Sequence, residues 1–186
     1  MSPPPEGCAL VVIDVQVGFD DPVWGARNNP ACESNVAALI ASWRARGRPI
    51  VFVRHDSDEG PDSPLAPNQP GNAFKPAVTG DPDLLVTKQV HSAFYGQPDL
   101  DGWLQSHDIK ALAICGIATD HCCETTARMA GDLGYETFFV QNATHAFDRV
   151  GPDGLKVSAD EVCRATVASI HGEFATVVTT EELLAD

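Results

Sequence analysis

Residues 111–135, ALAICGIATDHCCETTARMAGDLGY, decide the reading of this chain. Ala111 to Cys115 is a short, unbroken apolar run, the pattern of a strand buried on both faces. Gly116 closes it. Thr119 or Asp120 can cap a helix that continues through small and apolar residues to Gly134, a glycine standing where helices commonly stop. That register predicts a thiol pair, Cys122 and Cys123, in or just before the first helical turn. The unpaired N–H groups and the positive end of the helix dipole there favour a thiolate. The two thiols lie about 100° apart around the helix, so only one faces a cleft at the strand end. Periodicity does not choose between them, because the stripes 122, 126, 129, 133 and 123, 127, 130, 134 are both small or apolar.

The same strand-then-helix rhythm extends in both directions. Upstream, CALVVIDV (residues 8–15) reads as a central parallel strand with Asp14 near its carboxyl end, and a polar loop from Gln16 to Pro30 carries Phe19, Trp24 and Arg27. A helix is expected over 31–46, with Val36, Leu39, Ile40 and Trp43 on one face and Gly47 as its stop. PIVFVR (49–54) is a second strand, followed by His55-Asp56. Residues 57–83 form a Pro-, Gly- and Asp-rich connection of the length typical of active-site loops. A short strand at 84–87 leads into Lys88, and a helix is expected over 100–107. Downstream lie a strand at 137–140, a loop through His145 and Phe147, a helix over 158–170, a strand at 175–178 and a terminal helix from Glu181. Alternation of this kind predicts an α/β chain in three α/β/α layers, with a parallel sheet of about six strands and right-handed crossovers.

A chain of 186 residues with 44% hydrophobic content suits one domain, expected to span 1–186. Its 26 acidic and 12 basic side chains give a net charge of −14, which argues against nucleic acid or an anionic membrane as partner. No apolar stretch is long enough to span a membrane, and MSPPPEG lacks the basic and apolar regions of a signal peptide, so a cytoplasmic location is expected. Six cysteines (8, 32, 115, 122, 123 and 163) are scattered without C-x-x-C spacing. They suggest neither a disulfide framework nor a zinc site. No G-x-G-x-x-G follows the first strand, so no dinucleotide, and no other cofactor, is expected.

The segment Gly116-Ile117-Ala118-Thr119-Asp120-His121-Cys122, followed by Thr126, Ala130 and Gly134-Tyr135, resembles the nucleophile signature of the isochorismatase-like cysteine hydrolases, which include nicotinamidase and N-carbamoylsarcosine amidase. The resemblance implies the isochorismatase-like, Rossmann-like fold, with Cys122 as nucleophile and Cys123 in the core. Asp14-Val15-Gln16 with Phe19 resembles the family's D-x-Q motif and implies that Asp14 is the general base. Lys88 through Phe94 to Leu100 resembles the K-x(5)-F-x(5)-L segment, whose lysine completes the triad; Lys88 is one of four lysines in the chain. A cis peptide at Ile117–Ala118 is implied in the same way, with the N–H groups of Ala118 and Cys122 as oxyanion donors.

Gln16, Phe19, Trp24, Phe94 and Tyr95 are then expected around the substrate. His121 and His145 read either as structural histidines or as substrate contacts. Nicotinamidases carry a D-x-H metal motif after the second strand; this chain reads Arg54-His55-Asp56-Ser57, with His91 as the next histidine, so no metal is expected. Asn142 stands where the family often has an aspartate. The implied activity is cysteine-dependent hydrolysis of a C–N bond in a small amide, lactam or ureido compound, by a homodimer or homotetramer like its relatives. Two alternatives use the same fold: vinyl ether hydrolysis of the isochorismatase type, which needs no cysteine, and a non-catalytic thiol redox sensor.

Overall fold

The protein, described for residues 4–185 by a computed structural model, is built on six parallel strands: β1 (Ala9–Ile13), β2 (Ile50–His55), β3 (Leu84–Lys88), β4 (Ala111–Ile117), β5 (Glu136–His145) and, after a small hairpin of β6 (Arg149–Val150) and β7 (Lys156–Val157), β8 (Thr176–Val178). Their order is β3-β2-β1-β4-β5-β8. The chain therefore starts in the middle, winds outward through β2 and β3, then crosses back to place β4 against the other side of β1. That reversal opens a crevice at the carboxyl ends of β1 and β4, the usual ligand position in such sheets.

Successive residues of β1 face opposite sides of the sheet, and both sides are covered. Leu10 and Val12 pack with Val36, Leu39, Ile40 and Trp43 of α1 (Cys32–Ala45). Ala9, Val11 and Ile13 share the opposite core with Leu100 and Leu104 of α2 (Leu100–Ser106), Ala127 and Ala130 of α3 (Glu124–Asp132), and Ile170 of α4 (Ala159–Ile170). A final short helix, α5 (Thr180–Leu184), adds Leu183 to the α1 side. The expected three-layer α/β/α architecture is thus present.

Three local expectations change. Gly116 does not end β4: the strand runs on to Ile117, with Gly116 at φ 128°. Between β4 and α3 lies a π-helical turn, Thr119–Cys123, rather than a capped α-helical first turn. Neither predicted cap is available. The Thr119 hydroxyl donates to Thr144 Oγ1, and the Asp120 carboxylate is taken by Arg149 and His121. β5 is also longer than the 137–140 core, because after a register shift between Ile114 and Gly116 it pairs again with the end of β4, Thr144 opposite Gly116 and His145 opposite Ile117. The β6–β7 hairpin has two residues per strand, too few to leave an alternating signal.

Candidate active site

Three strand ends and one turn converge. Asp14 follows β1 with φ 51°, a left-handed conformation that turns the chain sharply at the sheet edge. His55 and Lys88 end β2 and β3 side by side in register. Cys122 lies in the π-helical turn beyond β4. Because all four strands are parallel, their carboxyl ends share one edge, and residues separated by as many as 108 positions can meet there.

Lys88 Nζ lies 2.6 Å from Asp14 Oδ2, 3.1 Å from His55 Nδ1 and 3.4 Å from Cys122 Sγ. One donor atom each from Asp14, His55 and Cys122 lie within 4.8 Å of one another. Asp14, Lys88 and Cys122 are buried, and Asp14 Oδ1 has no hydrogen-bond partner among the described residues.

Burial works against the Lys88 charge, but the Asp14 carboxylate and Cys122 outweigh it and hold its pKa above the ordinary lysine value. Burial, reinforced by the Asp14 carboxylate, pushes the Cys122 thiol well up; Lys88 opposes them without prevailing. The resting group is therefore a thiol, not the thiolate expected from a helix N-terminus. Low dielectric disfavours a sulfur anion, and the nearest carboxylate adds a like charge. Cys123 is fully buried, and its thiol is also raised, chiefly by burial.

The thiol opens onto a pocket of about 250 Å³. One wall is apolar: Phe19, Trp24, Leu65 and Phe147. Phe19 lies 5.1 Å from Trp24 and 6.2 Å from Phe147 between ring centroids, and Trp24 Nε1 donates to Gly18 O. The remaining lining is polar, with His55, Ser57, Gln89, His91, His121 and Arg149, and with Asp58 and Glu59; Ala118 lies beside Cys122. The Ile117–Ala118 peptide is cis.

Phe19, Trp24, Ala118, Cys122 and His121 thus line the pocket, whereas other expected contacts do not. Gln16 is fully buried; its Nε2 donates to His55 O and Asn72 O, and its Oε1 accepts from His55 N, so it pins the end of β2 instead of facing a ligand. Phe94 and Tyr95 fall in a 3-10 turn, Ala93–Tyr95, anchored by Ala93 N donating to Thr126 Oγ1. That anchor stacks Phe94 on Tyr135 and leaves Tyr95 71% exposed, both outside the pocket. His145 is sealed behind Phe147 with its ring edge-on, 5.0 Å between centroids. His55, His91 and Arg149 carried no assignment from sequence. For His55 a signal existed: it closes an apolar strand run, as Asp14 and Lys88 do.

The donor set does not fit a resident divalent cation. The point shared by Asp14, His55 and Cys122 is held by the Lys88 ammonium, and a metal would have to displace a buried positive charge. Asp56, the acid directly after His55, is bonded to Arg54 and Asn72.

Comparison with known proteins agrees with this architecture. The chain matches the isochorismatase domain over residues 8–182. It is 37% identical to the isochorismatase family protein YrdC of Bacillus subtilis over 96% of this chain and 95% of that protein. It is 28% identical to Nicotinamidase 3 of Arabidopsis thaliana over 94% of this chain and 86% of that protein. Among solved structures, an isochorismatase-family protein of Chromobacterium violaceum superposes with TM-score 0.92 at 38% identity, covering 99% of this chain and 97% of its own. A cysteine hydrolase of Pseudomonas syringae pv. phaseolicola superposes with TM-score 0.85 at 27% identity, covering 96% and 91%. With a family match across nearly its whole length and this sheet topology, the chain belongs to the isochorismatase family of hydrolases.

Proposed function

We propose that the protein is a cysteine amidohydrolase that cleaves the C–N bond of a small amide, lactam or ureido compound through a thioester intermediate. The observation that carries this reading is the buried bridge of Lys88 Nζ between Asp14 Oδ2 and Cys122 Sγ at the floor of a half-apolar pocket. A general base, a nucleophile and a fixed positive charge stand within contact of one another there.

Cys122 rests as a thiol, so attack requires proton removal within the complex. Asp14 Oδ1, the carboxylate oxygen left without a partner, accepts that proton while Oδ2 stays on Lys88. Sγ then bonds to the substrate carbonyl carbon, and the N–H groups of Ala118 and Cys122 hold the tetrahedral oxyanion. The C–N bond breaks as Asp14 returns the proton to the leaving nitrogen, which departs as ammonia or an amine or, from a lactam, stays tethered as the amine of the opened ring. Water next attacks the thioester and gives its proton to Asp14. The acid product leaves, and Sγ recovers the proton. Lys88 keeps its charge throughout and stabilises the sulfur anion whenever it forms. The apolar wall of Phe19, Trp24 and Phe147 excludes bulk water and takes the flat or hydrocarbon part of the substrate.

A mass-spectrometric screen for the hydrolysis product (addition of water, with or without loss of ammonia or an amine) over carboxamide, lactam and ureido compounds tests the reading. Turnover is expected with at least one class, and Cys122→Ala and Cys122→Ser should each lower kcat on the order of 10³-fold or more while circular dichroism stays unchanged. Wild-type turnover in a folded Cys122→Ala variant would sink the assignment.

A further inference from the structure

We infer that His55 is a substrate-binding residue, held by Lys88 in the tautomer that presents Nε2–H to the pocket, where it donates to an acceptor atom two to four bonds from the scissile carbonyl carbon. This rests on the amidohydrolase reading for where the reacting carbon lies; the tautomer itself does not.

An ammonium has three hydrogens and no acceptor. Lys88 Nζ has three partners, Asp14 Oδ2, Cys122 Sγ and His55 Nδ1. At 3.1 Å from that ammonium, Nδ1 is the lone-pair side of the ring. A neutral imidazole with an accepting Nδ1 carries its proton on Nε2. An Nδ1–H would set two donors against each other, and a doubly protonated ring would add a second positive charge. Burial and Lys88 both keep the His55 pKa below the ordinary histidine value, and His91 adds to them; Asp14 and Glu59 pull the other way without reversing the direction.

The ring is fixed as well as polarised. His55 N–H donates to Gln16 Oε1, and His55 O accepts from Gln16 Nε2 and Asn72 Nδ2. Backbone and Nδ1 are thus held from three sides, while the hydrogen bond that the ring makes among the described residues is at Nδ1 and the ring lines the pocket. A donor held this way needs little ordering when a ligand arrives. The ring lies close to Cys122: one of its nitrogens and Sγ are within 4.8 Å. A carbonyl carbon in attack position on Sγ therefore brings its neighbouring atoms within hydrogen-bond reach of this side of the pocket. The substrate class that follows is a small amide bearing a second oxygen acceptor close to the cleaved bond, such as a hydroxy-amide, a diamide or a ureido acid.

Nitrogen-15 NMR of imidazole-labelled protein at pH 7.5 reads the tautomer directly, with the His55 signal assigned by its loss in His55→Asn. A pyridine-like Nδ1 and a protonated Nε2 are expected; an Nδ1–H tautomer or an imidazolium overturns the inference. The recognition half is read with the compound cleaved fastest among lactamide, malonamide, succinamide and ureidoacetate. Asparagine places an acceptor near Nδ1 but no donor at Nε2, whereas glutamine reaches the Nε2 position with a donor. KM should rise about tenfold in His55→Asn, with the loss in KM rather than kcat, and fall back toward wild type in His55→Gln. An unchanged KM in His55→Asn, or equal losses in both variants, overturns recognition by Nε2–H. No turnover of any amide by the wild-type protein, together with the expected spectrum, would overturn the amidohydrolase reading and the recognition drawn from it, while the tautomer stands.

Discussion

Lys88 is buried with its charge, which is tolerable only because each of its hydrogens has an acceptor and one of these is a carboxylate. Removing the ammonium leaves Asp14 charged, enclosed and without its counter-ion. Lys88→Met is expected to lower stability by about 3–5 kcal/mol, measured by urea denaturation. Adding Asp14→Asn should recover part of that loss, because the stranded charge goes with it. If the two single losses simply add, the two residues do not form the unit described. Cys122 shows the reverse balance: burial and the nearby Asp14 carboxylate disfavour its charged form, and Lys88 does not offset them.

At the scale of elements, the end of β4 determines where the thiol sits. Gly116 faces Ile13 across the sheet at φ 128°, and a Cβ there would fall on the Ile13 carbonyl oxygen. Both the positive φ and the close approach demand glycine. Gly116→Ala is expected to cost on the order of 4 kcal/mol or more, seen as a lowered urea midpoint or lost soluble yield, because backbone strain and a backbone clash act together. A variant within 1 kcal/mol or so of wild type would show that the β1–β4 junction adapts. The apolar runs of β1, β2 and β4 are legible from sequence because both faces are buried; the π-helical turn is not. There Thr144 on β5 and Arg149 on β6 take the side chains that would have capped a helix, and those partners are 25 and 29 residues away from Thr119 and Asp120.

Across the whole molecule, the loops that form the pocket are tied down by a half-buried ionic network. Lys75 Nζ bonds Asp20 Oδ1 and Glu33 Oε1, and Arg27 grips both Glu33 oxygens. His145 lies close to this network, fully buried, with neither ring nitrogen hydrogen-bonded among the described residues. Burial, and then Arg27, hold its pKa down at about 3; Lys75 adds to them and Glu33 opposes. The folded state thus refuses a proton that the unfolded chain accepts near pH 6.5, so stability is complete above that value and declines as pH falls toward the folded pKa. Between pH 7.5 and 5.0 the His145 contribution is roughly 2 kcal/mol at about 1.4 kcal/mol per pH unit. Denaturant titrations at the two pH values should show a smaller drop for His145→Gln than for wild type by about that amount. His55 and His91, also held low chiefly by burial, add to the slope in both proteins and leave the difference to His145.

The sequence by itself determined the sheet-forming runs, their alternation with helices and the motifs carrying Asp14, Lys88 and Cys122, because hydrophobic period and local spacing are properties of neighbours along the chain. Their meeting at one edge follows from parallel pairing and from the crossover that sets β4 beside β1. Only the tertiary structure decided that Gln16 braces β2, that Phe94 and Tyr95 turn away, and that His55 joins Lys88. The same holds for the resting thiol, whose protonation is governed by burial and by a carboxylate 108 positions distant in the chain. Desolvation and contacts between distant segments have no local signature, so those outcomes exist only once the layers have packed.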